Sequence, residues 1–354
     1  MPNFSKLFSV YQSKVDFHFC QPNEIVQVEE FIECHWKREH ALAHNRALMN
    51  WQHYDKESNH YNFILATDCR TGEILALQGF ITTRVFDSQI TSPALCGAIW
   101  KSICEDKYPG VGILLQTWMI TNVEHQVLFG LGMSNITERV NRSEHRKLGF
   151  LRQYYILNPK KHHFALADRI EKSEKLTEEV CEQKSFCLLD GQKFLKTVSV
   201  VSDKIPFFKS AVYYQHRFLE HPVYQYTATG IFQKDAGLQA VFFWRKCFYQ
   251  GSCCLRIVDY IGDGSELQGC LPLFHAMLME EDAEYIDFYQ TGISRENMLS
   301  GGFLDRADSD IIIPNYYEPF LRQNVELNYA WEGPCQPWLF KGDADMDRPN
   351  RIGG

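Results

Sequence analysis

The sequence is short of everything that would mark a secreted mini-protein, a metal module or a membrane span. Its 12 cysteines are scattered and form no Cys-x-x-Cys pair; only Cys253 and Cys254 are adjacent. A disulfide-dense secreted scaffold is excluded, and the thiols read as reduced. Without clustered Cys/His spacing there is no basis for a metal site, so no metal is expected. The first residues, MPNFSKLFSVYQSKVDF, contain no uninterrupted apolar run and no cleavage signature, so no signal peptide is expected. No stretch approaches the roughly 20 apolar residues that cross a bilayer. The expected setting is therefore cytoplasmic, away from a membrane. Excess positive charge is also missing: the formal net charge is -8 over 354 residues. A field of that sign repels nucleic acid, and none is expected as a partner.

What is present is ordinary globular material, with 45% hydrophobic and 23% charged residues. At roughly 100–200 residues per domain, the length suggests two domains. Residues 24–36 space Ile25, Val28, Phe31 and Ile32 as a helix, with Asn23 as a plausible N-cap, and residues 41–53 read as a second helix. Residues 62–67 and 74–86 form a hairpin around Gly72, and 94–103 add a strand. An apolar helix is expected from Ile113 to about Val123, then a buried strand over 126–133. A polar helix follows from Asn135 to Lys147, ending at Leu148-Gly149-Phe150, and 151–158 give one more strand. Alternation of this kind makes a mixed α/β unit.

The charged stretch 159–185, with KKHH at 160–163 and EKSEKLTEE at 171–179, reads as a linker. Beyond it, strands over 226–232, 239–247 and 253–261 lead to a helix over 265–281 with Pro272 near its middle. A strand over 285–290, a short helix and Gly301-Gly302-Phe303 then follow. The same order of elements occurs twice, which points to a degenerate internal repeat.

The stretch that carries chemistry is Lys107-Tyr108-Pro109-Gly110-Val111-Gly112, between a strand and an apolar helix. Glycines let backbone pass close to a ligand. Amides converging at a helix N-terminus favour an anion, of which a pyrophosphate is the natural example. Lys107 adds a point charge. A Rossmann fingerprint fails because position 115 is Leu, and a Walker loop is absent.

With its flanking elements, this loop resembles the signature of the GNAT superfamily, Arg/Gln-x-x-Gly-x-Gly/Ala, with Lys107 in the place of Arg or Gln. The resemblance covers about residues 24–158. It implies a fold of two tandem GNAT-like units, each a central mixed, mainly antiparallel sheet flanked by helices. The units would be 1–158, carrying the loop, and 186–354, joined by 159–185. It further implies acyl-CoA as co-substrate. The pyrophosphate would sit on the amides of Tyr108, Gly110, Val111, Gly112, Ile113 and Leu114, and the pantetheine arm would lie along Trp100, Ser102 and Ile103. Acyl transfer to an amine would then need an acid for the leaving thiolate.

That family commonly places a Tyr five residues before the Phe of Leu-Gly-Phe. His145 stands there, able to donate near neutral pH, and Ser134 is a second candidate donor. Glu105, His35 and Asp287 are candidate bases by residue type. In the second half the counterpart of the loop is Gly262-Asp263-Gly264-Ser265-Glu266, whose acids would repel a pyrophosphate. That half is expected to bind the acceptor, as in the tandem Fem-type aminoacyltransferases, with Asp259, Asp287 and Tyr289 on strands. His35 and Trp36, followed by Trp51, Tyr54 and Tyr61, suggest a looser similarity to bacterial surface-polysaccharide enzymes that acylate nucleotide-linked amino sugars. A Fem-like transfer from charged tRNA and a non-catalytic acyl-CoA-binding module remain as alternatives. An oligomer is open. The acidic tail Asp343-Ala344-Asp345-Met346-Asp347 fails as a calcium loop, because Arg348 and Gly354 stand where Gly and Glu are needed. It reads as a folded-back segment or a disordered end.

Overall fold

A computed structural model describes residues 4–169, 183–343 and 345–349. The segment 171–179 and the chain end from Asn350 lie outside the described residues. The chain divides into two compact units, one up to Gly130 and one over Leu131–Arg348.

The first unit opens with α1 (Phe4–Tyr11) and β1 (Val15–Cys20), then α2 (Ile25–Phe31), α3 (Ala41–His44) and α4 (Arg46–His53). Asn23 does not cap α2. It sits in a 3-10 turn whose reciprocal box is made by Gln21 and Glu24. The expected single helix over 41–53 is broken at Asn45, whose side chain accepts from the Leu48 amide at 2.9 Å and starts a new helix. The sheet continues with β2 (His60–Asp68), β3 (Ile74–Thr82) and β4 (Ala94–Ser102), then α5 (Val111–Asn122) and β5 (Val127–Leu131). Strands β1 to β4 pair antiparallel in order, and β5 runs parallel to β4. One sheet face, with Ile64, Ala66, Phe80 and Leu95, packs on Leu114, Leu115 and Met119 of α5. The other, with Phe63, Leu65 and Leu77, packs on α2–α4. Strands buried on both faces read as near-continuous apolar runs, and β3 is buried at all nine positions.

In the second unit come α6 (Asn135–Ser143), β6 (Lys147–Leu157), β7 (Lys184–Leu188), β8 (Thr227–Gln233), β9 (Gly237–Tyr249) and β10 (Ser252–Ile261). They are followed by a helix over Leu271–Glu280, β11 (Tyr285–Thr291), a helix over Arg295–Ser300, β12 (Leu327–Glu332) and β13 (Leu339–Phe340). Strands β7 to β10 pair antiparallel in order, and β11 runs parallel to β10. Strand β6 lies antiparallel to both β11 and β12. It thus belongs with the second unit, whereas the sequence placed 151–158 in the first. The polar helix α6 stops at Ser143, four residues earlier than expected. Leu148-Gly149-Phe150 falls inside β6, where a Cβ on Gly149 would stand 2.6 Å from the Tyr329 ring. Pro272 lies in the first turn of its helix rather than the middle, where its missing N–H costs nothing.

Candidate functional site

Strand β4 carries a bulge. Gln78 faces Trp100 and Phe80 faces Gly97, so Ala98 and Ile99 together oppose Gly79. Its parallel pairing with β5 covers only Ala94–Cys96 against Val127–Phe129. From Gly97 to Ser102 the strand goes on with β3, and its other edge parts from β5. An open strand edge next to a bulge can take an extended ligand by backbone hydrogen bonding.

The loop after β4 leads into α5. Gly110 adopts φ +82°, the left-handed region that glycine enters without strain, and serves as the N-cap. The Glu105 carboxylate accepts from the Gly110 amide at 2.8 Å and from the Gly112 amide at 3.2 Å. An anion therefore already rests on the helix start, as the dipole and unpaired N–H groups favour. The other amides of the expected cradle are used differently. Tyr108 N donates to Cys104 O at 2.8 Å, Val111 N to Tyr108 O at 3.1 Å and Leu114 N to Gly110 O at 3.0 Å. The side chains of Tyr108, Val111 and Leu114 are core, and Ile113 is half-buried. Lys107 is exposed. It pairs with Asp68 at 3.3 Å and lies 4.9 Å above the Tyr108 ring, contacts that both hold its ammonium form. Trp100 donates its indole N–H to Gly112 O at 3.0 Å, tying the strand to the helix. The Ser102 hydroxyl accepts from Cys104 N at 3.5 Å, and Ile103 N donates to Leu75 O. His35 and Trp36 are exposed on a π turn over Ile32–Trp36.

Ser134 and His145 belong to the second unit. Ser134 caps α6, its hydroxyl accepting from Thr137 N at 3.3 Å. His145 is exposed in the turn after α6 at φ +59°. Asp287 is wholly buried in a forked pair with Arg256 at 3.1 and 3.0 Å, and that partner accounts for its charge. Asp259 pairs with Lys209 at 2.7 Å, and Asp343 shares the same ammonium at 2.8 Å. Burial pushes Asp259 up to about 7 against the pull of Lys209. Tyr289 donates to Val325 O at 3.0 Å. The three groups expected to hold an acceptor are therefore engaged inside the unit. Sequence reasoning could not see this, because their partners are 31 to 50 residues away.

Strand β10 has a bulge in the position matching that of β4. Phe243 faces Asp259 and Trp244 faces Ile257, leaving Val258 extra. Here the chain itself fills the parting. β13 pairs with Gln290 and Thr291 of β11, and Gly342 N donates to the bulge carbonyl of Val258 at 2.8 Å. A Cβ on Gly342 would stand 2.6 Å from that oxygen, so only glycine fits. Asp347 follows, accepting from Arg245 at 2.8 and 2.9 Å and from Tyr226 at 2.7 Å, with its carboxyl held far below its usual range against burial by these partners. The tail is a buried element. Among the described residues no group of three or more His, Cys, Asp or Glu side chains could hold a metal. No helix among them is long and apolar enough to cross a membrane.

No family model matches the chain, and no curated protein matches it in sequence. Solved structures do match. A GCN5-related N-acetyltransferase from Anabaena variabilis aligns over 90% of this chain and 72% of its own, at 10% identity and a TM-score of 0.53. A conserved protein of unknown function from Enterococcus faecalis aligns over 89% and 71%, at 7% identity and a TM-score of 0.53. At such identities the likeness is one of fold: a mixed α/β chain with a large mixed sheet flanked by helices, as in the GCN5-related acetyltransferases.

Proposed function

We propose that the first unit binds an acyl-CoA and that the protein is an N-acyltransferase. The observation that carries this reading is the pair of amides at Gly110 and Gly112, already turned onto a carboxylate at the end of a strand that parts from its parallel neighbour. A pyrophosphate would take the place of Glu105. The pantetheine arm would run along Gly97–Ser102, its amides bonding the strand edge as Gly342 bonds Val258 in the second unit. The acceptor amine then attacks the thioester carbonyl. A C–N bond forms, the C–S bond breaks, the thiolate takes a proton, and the amine loses one to a base or to water.

His145 remains the proposed proton donor, since the Ser134 hydroxyl is engaged as a helix cap. For the acceptor we keep the amine of a nucleotide-linked amino sugar. Exposed Trp36 beside His35 supports it, as an aromatic face on which a base or sugar can stack. A second reading, a non-catalytic module that binds acyl-CoA, draws on the same amides: Gly110 and Gly112 can hold a pyrophosphate without any acid or base for transfer.

Calorimetric titration with acetyl-CoA and desulfo-CoA, on the wild type and on Glu105→Ala, tests donor binding, and turnover with an amine acceptor separates the two readings. A carboxylate on exposed helix-end amides contributes ~0.3–1 kcal/mol, so the variant should bind roughly two- to fivefold tighter. In the same preparation, His145→Ala should keep donor affinity and lose turnover. Absence of binding in both proteins would remove the acyl-CoA reading.

A further inference from the structure

Two buried carboxamides stand on the α5 side of the first unit's sheet, and each keeps a carbonyl oxygen with no hydrogen-bond partner. Gln78 on β3 is 2% exposed; its Nε2 donates to Gly79 O at 2.9 Å, while Oε1 meets no donor. Gln116 on α5 is 9% exposed, and its Oε1 also meets none. Their placement is shared. Gln78 lies opposite Ile64 and Trp100 and two residues before Phe80, and Ile64 and Phe80 pack on α5. A Cβ on Gly97 would stand 3.5 Å from Gln78 Nε2. Gln116 is one helical turn beyond Gly112, whose carbonyl takes the Trp100 indole N–H. Gln78 therefore borders the stretch Gly97–Trp100, where the β4 bulge lies, and Gln116 follows one turn after the residue that takes the Trp100 indole.

Leaving a buried acceptor unpaired costs about 1–3 kcal/mol. Such a cost beside the bulge, with a second on the helix packed against it, calls for a group that donates. A neutral donor fits best: an ammonium buried there would need a carboxylate, whereas Gln78 and Gln116 offer only neutral oxygens. We infer that the donor is a hydroxyacyl thioester, its acyl hydroxyl donating to the Gln78 or Gln116 carbonyl oxygen. This rests on the acyl-CoA reading above and adds the class of acyl group. An acetyl or a plain alkyl chain would leave both oxygens unpaired.

The test is calorimetry of the wild-type protein with butyryl-CoA and with each enantiomer of 3-hydroxybutyryl-CoA, repeated on Gln78→Leu/Gln116→Leu. One enantiomer should bind about tenfold tighter than butyryl-CoA to the wild type, as one good hydrogen bond provides. In the double variant that preference should vanish or reverse, because leucine removes both acceptor oxygens without emptying the site. Equal binding of hydroxylated and plain chains by the wild type overturns the inference and leaves the acyl-CoA reading standing. So does a preference that survives both substitutions. If neither thioester binds, the two readings fall together. Should the double variant not fold, the three wild-type titrations decide alone.

Discussion

Lys341 shows how far a single residue's chemistry can depart from its type. It is 1% exposed, donates to Met346 O at 3.2 Å, and lies 5.7 Å over the Tyr289 ring. Burial, reinforced by the nearby Arg256 charge, pushes its amine down to about 7 from an ordinary 10.5. In the unfolded chain the amine regains its ordinary value and binds a proton that the folded protein lacks. Between about 7 and 10.5 the unfolded state thus holds more protons, and stability rises with pH through that window. Lys341→Met should remove that part of the slope and stabilise the protein at pH 7 by about 1–3 kcal/mol. Urea unfolding at pH 7 and pH 9 checks it: a variant less stable at both values would show that the ammonium is retained and paired. Glu105 and Asp287 make the complementary point. Both were legible as carboxylates near the expected chemistry, but one lies on helix-end amides five and seven residues on and the other inside an arginine fork 31 residues away, which local sequence does not reveal.

At the scale of elements, the sequence was most reliable where a periodic apolar run met a glycine. Helix α5 begins two residues before its expected start and ends one residue before its expected end, and β2, β4 and β5 lie near where alternation placed them, while β3 stops at Thr82, before a 3-10 turn, four residues short of its expected end. It was least reliable for segments that are stable only by pairing with a distant partner. β1 was not anticipated; it is held by β2, Val15 opposite Asp68. The segment 343–347 after β13 was read as an acidic tail, because three aspartates within five residues look solvated until Lys209, Arg245 and Tyr226 are brought to them. The tail is accordingly an integral part of the second unit. Ending the chain before Leu339 would remove β13 and strand Lys209 and Arg245 without Asp343 and Asp347. Breaking such buried pairs costs about 3–5 kcal/mol each. The truncated protein should lose the cooperative melting of that unit, seen as loss of amide-exchange protection over β10 and β11. Retained protection there would mean that the tail is dispensable.

For the whole molecule, the same pairing order occurs twice: three antiparallel steps, a bulge, and a parallel neighbour, in β1–β5 and again in β7–β11. A serine caps the helix after each parallel strand, Ser134 in one case and Ser294 in the other. The two copies differ at the bulge. In the second unit the parting beside the bulge is filled by residues 339–342, so that unit has no slot for a pantetheine arm. Titration with the donor should give one site per chain. Two equivalent sites would mean that the tail yields its place to the ligand.

Composition, hydrophobic periodicity and glycine placement determined the class of the fold, the repeated order of elements and the loop at Gly110–Gly112. These rest on local propensities and on which face of a strand or helix must be buried, and both are written within a few residues. Only the tertiary structure decided that Glu105 rests on the loop amides, that Gln78 and Gln116 keep unpaired oxygens beside the bulge, and that the tail occupies the second unit. The first is a short-range fold-back over five and seven residues that depends on the loop's conformation, and the last joins segments far apart in the chain. Such contacts form because burial makes every polar group seek a partner, and which partner comes within reach depends on the packing of the whole unit.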